Sequence, residues 1–301
     1  MRFIKIFILA AFSIYLLPAC KQKQYPKLIF KFKFDPTQAR LGSTGQPDPM
    51  PSNHAGQDPS MNFMSAHYIE ISPSALTPLG SGPILYQTAN TTAGGGSAID
   101  FQHEILTPDS GIFFQTALNN VVPGTYPYLR ISLAYQNYGV KLYIDTTISS
   151  IPIQQEIPCT VASFIGVNTY ITSYKVNTEN IAVNANRAQG YWGFEATGSI
   201  NGYPYNYLTS GQAPPGQTTV VNPLFATSPI PAGSCVVTAA FDGGPLTITG
   251  NETKDIVVTV SLSTNKSFEW IEVNQDGKWE PAKGEDIVNM GIRGMIPYVQ
   301  Y

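Results

Sequence analysis

The stretch Lys27-Leu28-Ile29-Phe30-Lys31-Phe32-Lys33-Phe34 alternates between apolar and basic side chains over most of its length. Successive side chains of a β-strand point to opposite faces of the sheet, so the three phenylalanines share one face and the lysines share the other. This pattern predicts a strand that is buried on one face and solvated on the other. A row of lysines also commonly protects the free edge of a sheet, so the pattern favours an edge strand.

Short runs rich in β-branched and aromatic residues follow along the chain, separated by turns that contain Gly, Pro, Asn or Asp. The expected strands cover residues 64–72, 84–88, 99–104, 112–118, 128–135, 140–145, 161–176, 191–197, 203–208, 235–241, 246–249, 256–262 and 268–273. None of these runs shows a convincing helical period. The predicted fold class is therefore all-β, an antiparallel β-sandwich of Greek-key type.

The domain organisation leaves two alternatives open. Residues 27–145 are predicted to form a β-sandwich unit. Residues 146–301 form either a second, abutting unit or a continuation of the same sandwich, and they include an acidic Asp-Gly loop near their end. The segment around the boundary is rich in Ile instead of Gly and Ser, which is also typical of a strand.

The beginning of the chain has the features of a secretory signal. Arg2 and Lys5 precede an apolar run that ends in Leu16-Leu17-Pro18-Ala19-Cys20. The run is shorter than the ~20 residues that a membrane-spanning helix needs. The small residue before Cys20 resembles the lipobox of bacterial lipoproteins. That resemblance implies a signal peptide over residues 1–19, lipidation of Cys20 and a short tether over residues 20–26; an ordinary cleaved signal with a chance cysteine is the alternative.

The lipobox also implies a place in the cell. No acidic residue directly follows Cys20, which by analogy with other lipoproteins favours the outer membrane. The protein is therefore expected in the cell envelope as an outer-membrane lipoprotein, facing the periplasm or the cell surface, with the membrane as its partner through the lipid anchor.

Composition excludes some function classes. The 301 residues carry a formal net charge of −3, and 12% are charged, so the clustered basic face of a nucleic-acid-binding protein is not expected. A Gly-x-Ser-x-Gly nucleophile elbow is absent, and Gly94-Gly95-Gly96-Ser97 lacks the following x-Gly. Five of the 20 acidic residues lie in the Asp-Gly loop, over residues 272–286. A hydrolase is therefore the last of the alternatives, and no enzymatic activity is expected.

Besides Cys20, the chain contains Cys159 and Cys235. Two thiols in an oxidising compartment normally pair, which predicts a Cys159–Cys235 disulfide. Two buried free thiols are the alternative. Neither cysteine has the spacing of a redox or zinc motif.

An acidic loop near the end of the chain suggests a calcium site. Glu272, Asn274 and Asp276 alternate before Gly277, as in a loop that wraps a hard cation with oxygen ligands. The carbonyl of Lys278 and the carboxylate of Glu285 complete the predicted ligand set. The EF-hand pattern fails at its twelfth position, which is Lys283, so an acidic β-turn without metal is the alternative.

His54 and His67 are candidate ligands for copper or another transition metal, because imidazole suits these ions. Their spacing is not that of a known motif, so the fold would have to bring them together. Ordinary hydrogen-bonded histidines are the alternative.

Aromatic clusters suggest a surface that binds sugars or peptides, because these rings combine an apolar face with polar edges. The candidate residues are Tyr191, Trp192, Tyr205 and Tyr207. The alternative is that half of these rings point inward and the rest decorate a sheet.

Parts of the chain resemble known proteins. Pro123-Gly124-Thr125-Tyr126 and the segment from Phe268-Glu269-Trp270 through Asp276-Gly277-Lys278-Trp279 resemble uncharacterised lipoproteins of Bacteroidota. Residues 27–135 are more distantly similar to the methanobactin-operon periplasmic family, a β-rich family associated with copper. The metal ligands of that family do not map onto residues of this chain.

Together these features predict a membrane-anchored envelope lipoprotein with a non-enzymatic binding or structural role, stabilised by Ca²⁺ if the acidic loop binds it. The alternatives are a periplasmic copper-binding or transition-metal-binding protein and a carbohydrate-binding surface lipoprotein, with an envelope protein or a glycan as the partner.

Overall fold

A computed structural model describes residues 25–148, 150–200, 202–213 and 235–301. The predicted signal peptide, Cys20 and most of the tether lie outside these residues. The described chain is built almost entirely of strands, which confirms the all-β prediction. No described segment forms a helix with the length and hydropathy needed to cross a membrane.

Over the described residues, the regular elements are strands joined by turns and by single-turn 3₁₀ helices at Phe101–His103, Leu118–Asn120 and Pro281–Lys283. The strands are β1 (Lys27–Asp35), β2 (His54–Gln57), β3 (Ser60–Ser72), β4 (Ile84–Gln87), β5 (Asn90–Thr91), β6 (Ala98–Asp100), β7 (Ile112–Ala117), β8 (Gly124–Tyr126), β9 (Tyr128–Ile148), β10 (Ile151–Phe164), β11 (Asn168–Lys175), β12 (Asn180–Ala188), β13 (Tyr191–Ile200), β14 (Tyr203–Gln212), β15 (Cys235–Ala240), β16 (Leu246–Ile248), β17 (Ile256–Ser263), β18 (Phe268–Ile271), β19 (Ile287–Asn289) and β20 (Met295–Gln300).

The largest sheet is organised around β9, a strand of 21 residues. One edge of β9 pairs with β3, and the other edge pairs first with β15 and then with β10. The sheet continues through β10 to β13 and β14 on one side and through β3 to β4 on the other. We call residues 128–133 of β9, which pair with β15, its lower half, and residues 135–148, which pair with β10, its upper half. The lower half belongs to the sandwich, and the upper half belongs to the region that contains the candidate site.

The sandwich forms where a four-stranded sheet, in the order β20-β17-β1-β7, packs on the lower half of the large sheet. The apolar side chains between the two sheets are fully buried, which explains the alternation in β1. They include Leu28, Phe30, Phe32, Ile69, Ile71, Leu129, Ile131, Val258 and Val260.

The expectation that β1 is an edge strand is wrong. It pairs with β7 on one side and with β17 on the other, so it lies inside its sheet. Its lysines instead lie on the outer, solvent-facing side of a sheet that is covered on only one face. The β1–β17 pair is parallel, with Leu28 opposite Ile256, whereas most pairs in the protein are antiparallel as predicted.

The predicted boundary after residue 145 falls inside β9. That strand continues to Ile148 and pairs with the whole of β10, from the Ile148–Ile151 pair to the Tyr135–Phe164 pair. Strands from both sides of the boundary also share the sandwich sheets, as β1 with β17 shows. The division into one or two units stays a prediction from the sequence.

The predicted disulfide does not form. Cys159 and Cys235 are free, buried thiols, 5% and 6% exposed. Both lie beside the same edge of β9, where Cys159 is opposite Val140 and Cys235 is opposite Leu133. Seven residues of strand correspond to about 23 Å, whereas a disulfide requires Cα atoms within about 7 Å. The two-free-thiol alternative is therefore the correct one.

We expect neither of these thiols to react with iodoacetamide while the protein is folded. Burial raises the pKa of both thiols to about 12, so the reactive thiolate is scarce. Labelling followed by mass spectrometry should show both cysteines modified once the protein is unfolded in denaturant without reductant. A pair that reacts in denaturant only after reduction would show a disulfide and contradict the structure.

Candidate ligand-binding cavity

A cavity of about 580 Å³ lies against β10, β13 and β14, beside the upper half of β9. Residues that are paired across antiparallel strands point to the same face of the sheet, so the register decides which side chains meet there. Two cross-strand rows face the cavity, Val161-Phe194-Thr209 and Ala196-Tyr207. The strand alternation of the sequence thus builds one wall of the cavity.

Two glycines let aromatic rings lie across this wall. A Cβ on Gly211 would come within 2.5 Å of the Trp192 indole, and a Cβ on Gly198 would come within 2.6 Å of the Tyr205 hydroxyl oxygen. Each glycine is the cross-strand partner of the ring that covers it. The rings occupy these positions because the opposite residue has no side chain.

The opposite wall comes from the C-terminal part of the chain, with Trp279, Pro281, Ile287 and Met290. Hydrogen bonds hold this wall to the large sheet. The N–H of Tyr143 donates to the carbonyl of Trp279 over 2.8 Å, and the Tyr138 hydroxyl donates to the carbonyl of Met290 over 2.9 Å. Both walls are therefore fixed relative to each other.

The cavity lining is predominantly apolar. No described residue that lines it carries a charged side chain, and its polar side chains are amides and hydroxyls, including those of Ser163, Gln189, Thr209 and Asn289. Both its size and its lining are typical of small-molecule sites, which range over about 300–1,000 Å³ and are mostly apolar with few polar groups.

Three of the four predicted aromatic residues, Trp192, Tyr205 and Tyr207, line this cavity. Tyr191 does not, because it precedes Trp192 in β13 and points to the opposite face. There it packs in a separate core, 5.8 Å from the Phe164 ring. Phe194 and Trp279 also line the cavity and were not among the predicted residues; alternation from Trp192 could have identified Phe194, but only the fold brings Trp279 to the same place.

The residues of the predicted calcium loop hold one another through backbone hydrogen bonds. Glu285, which is 2% exposed, accepts from the N–H groups of Val273, Asn274 and Glu280 over 3.2, 3.5 and 2.6 Å. Burial raises the pKa of Glu285, although these hydrogen bonds oppose the rise.

The other predicted calcium ligands also have partners within the loop. Glu272 accepts from the Asp276 N–H over 3.1 Å, the Asp276 carboxylate accepts from the Lys278 N–H over 3.0 Å, and the Asn274 amide donates to Glu280. Within the described ranges, no group of three or more His, Cys, Asp or Glu side chains is placed to hold a metal ion. Calcium binding stays a prediction from the sequence.

His54 and His67 belong to different polar groups. His54 lies 2.5 Å from the buried Glu269, through its Nδ1 atom. His67 is 5% exposed in β3; burial lowers its pKa to about 4, although the side chain of Asn90 opposes this. Copper binding therefore stays a prediction, and the structure does not place these two imidazoles in one ligand set.

Glu104 is a further carboxyl group with buried oxygens, and it lies outside the cavity. Both oxygens of Glu104 are buried and make no hydrogen bond of ordinary geometry to the described residues. Burial raises the pKa of Glu104 to about 7, and the neighbouring hydroxyls of Ser65 and Thr88 only partly oppose this.

Comparison with protein-family models, with curated proteins and with solved structures found no match to this chain.

Proposed function

We propose that this protein binds an apolar small molecule in the cavity described above, without transforming it, as a lipid-anchored protein of the cell envelope. The observation that carries this proposal is the uncharged, predominantly apolar lining of the 580 Å³ space, which includes Trp192, Phe194, Tyr205 and Trp279. Native interiors are close-packed, with few voids larger than a water molecule. Binding of an apolar ligand in a space of this size and lining is favourable, because apolar surface of both the ligand and the protein is removed from water.

The lining favours an apolar ligand over a carbohydrate. Aromatic rings can stack on a sugar ring, but the sugar hydroxyls then need hydrogen-bonding partners. The C-terminal wall is mostly apolar, with Pro281, Ile287 and Met290, and Asn289 is its polar side chain among the described residues. A sugar would leave most of its hydroxyls unpaired there, whereas the exposed Tyr203 and Tyr207 would bind glycans only at the rim. Carbohydrate binding is therefore the second candidate.

The envelope location rests on the sequence alone, since Cys20 and the apolar run before it are outside the described residues. A lipid anchor at Cys20 would hold the cavity beside a membrane, which is the richest source of apolar small molecules in a cell. The location and the cavity thus support the same kind of ligand.

The test is saturable binding of N-phenylnaphthylamine, a probe that fluoresces in apolar surroundings. Thr209 faces the cavity from β14, so Thr209→Trp should fill the space and weaken binding about tenfold or more. Ser210→Trp is the matched control, because it adds the same ring on the neighbouring, exposed residue, which points away from the cavity. Absence of saturable binding, or equal loss in both variants, would contradict the proposal.

A further inference from the structure

The indole of Trp192 lies flat on the wall of the cavity. Trp192 is half-buried on β13 and pairs with Gly211 of β14. Three consecutive atoms of its six-membered ring, Cε2, Cζ2 and Cη2, would be 2.9, 2.5 and 3.2 Å from a Cβ on Gly211. A ring that met this position edge-on would have one atom close and its bonded neighbours clearly further away. One face of the indole therefore covers the glycine, and the other face is turned from the sheet towards the cavity, which Trp192 lines.

Other aromatic rings of the cavity are engaged with one another. The Phe194 ring meets the Tyr207 ring at 6.2 Å and the Trp279 ring at 6.3 Å, both in edge-to-face arrangements. Such pairs are favoured by the charge distribution of aromatic rings. By contrast, no ring contact, hydrogen bond or ion pair among the described residues involves the Trp192 indole. The indole therefore offers the cavity a π-face that has no partner within this part of the chain.

The C-terminal wall brings an adaptable side chain to the level of Trp192. Cross-strand pairs place Gln136, Ser163 and Trp192 side by side on β9, β10 and β13. The Gln136 amide donates to the carbonyl of Met290, which holds the C-terminal wall at the same level. Met290 lines the cavity, and a methionine side chain adapts its shape to what it packs against. A planar group on the indole would therefore find an adaptable apolar side chain beside it.

Tyr205 has the same construction further along the strands. Its ring covers Gly198, with the hydroxyl oxygen, Cζ and Cε1 at 2.6, 2.9 and 3.0 Å from a Cβ there. It also makes no ring contact among the described residues. The six residue steps from Trp192 to Gly198 along β13 correspond to about 20 Å, so one planar group cannot stack on both rings. Of the two, the indole presents the larger π-surface.

We infer that the apolar ligand of this cavity carries a planar aromatic group, which stacks on the free face of the Trp192 indole. This inference rests on the proposed function and specifies the ligand class of the same cavity. It distinguishes an aromatic ligand from a saturated one of equal carbon number. Both bury apolar surface, but only the aromatic ring complements the charge distribution of the indole.

The experiment compares phenyloctane with cyclohexyloctane on the full mature protein, by displacement of N-phenylnaphthylamine, whose own affinity is measured for each variant. The two ligands share their carbon number and chain, so burial of apolar surface does not favour the aromatic one. The wild type should bind phenyloctane about threefold to tenfold more tightly. Trp192→Leu keeps an apolar lining without the π-face and should bind both ligands equally. Tyr301→Leu removes a 67% exposed ring that does not line the cavity, so this control should keep the preference.

The outcomes separate this inference from the proposed function. If the wild type binds the two ligands equally or prefers the saturated one, the inference fails while apolar binding stands. A preference that persists in Trp192→Leu, or that disappears in Tyr205→Leu alone, places the aromatic group elsewhere and also overturns the inference. If neither the probe nor either ligand binds, the proposed function fails with it. Should Trp192→Leu not fold, the wild-type comparison together with Tyr205→Leu still decides.

Discussion

Glu269→Gln is expected to lower the free energy of unfolding by about 3–5 kcal/mol, the usual cost of breaking a buried ion pair by removing one charge. The Glu269 side chain is 2% exposed, and it is 2.6 Å from Nη2 of Arg293 and 2.5 Å from Nδ1 of His54. Arg40 pairs with the same carboxylate. Glutamine keeps the size but leaves two largely buried guanidinium groups without this counter-charge. Equilibrium urea unfolding followed by tryptophan fluorescence measures the loss.

Glu156→Gln is the matched control for this carboxylate. Glu156 pairs with Lys141 over 2.8 Å on the surface, and the two side chains are 55% and 65% exposed. Exposed pairs contribute roughly 0–1 kcal/mol, so this variant should be nearly as stable as the wild type. A loss in Glu269→Gln no larger than that in Glu156→Gln would show that the buried cluster is not stabilising.

The Glu269 cluster also predicts how stability responds to acid. Burial alone would raise the pKa of Glu269, but the hydrogen bonds from His54, Arg40 and Arg293 outweigh it and lower the pKa in the folded protein. A group with a depressed pKa stabilises the folded state above its unfolded pKa of about 4.3 and loses that contribution as the pH falls. The wild type should therefore lose stability below about pH 4 more steeply than Glu269→Gln does.

Glu104→Gln is expected to have the opposite effect and to stabilise the protein at alkaline pH by about 3 kcal/mol. Burial raises the pKa of this carboxyl from an ordinary 4.5 to about 7. The folded state then holds a proton that the unfolded state has released, so stability decreases as the pH rises from the ordinary value through about 7. Glutamine resembles the protonated acid in size and neutrality, so it avoids this cost.

The comparison requires urea unfolding of the wild type and of Glu104→Gln at about pH 4 and about pH 8. The two proteins should differ little at the lower pH, and the variant should be the more stable at the higher one. The exposed Glu156→Gln variant serves again as the control, without a pH-dependent difference of this size. A Glu104→Gln variant that is less stable than the wild type at both pH values would contradict the assignment.

The sequence predicts those features that depend on local alternation. Phe30 and Phe32 are buried because their spacing puts them on one face of β1, and Tyr205 and Tyr207 share the cavity face of β14 for the same reason. Pairing partners are not a local property. The parallel β1–β17 pair, and the roughly 23 Å of strand between the levels of Cys159 and Cys235, follow from the order of strands around β9.

Only one of the two walls of the candidate site can be inferred from the sequence. One wall comes from consecutive strands, β13 and β14, whose aromatic residues, Trp192 among them, are conspicuous in the sequence. The other wall, with Trp279 and Met290, comes from a segment about 80 residues further along the chain, and no periodicity connects the two.

Because β1 pairs in parallel with β17, the sandwich is complete only after nearly the whole chain has been synthesised. The ribosome synthesises β1 early, but β17, which pairs with its second edge, begins only at Ile256. More than two hundred residues must therefore be synthesised between the two strands. Until then a phenylalanine-rich strand keeps an open flank, which is where misassembly and aggregation start. Closing so long a loop also slows folding. A truncation that removes only the last fifty residues should therefore leave β1, near the other end of the polypeptide, paired with β7 but without β17.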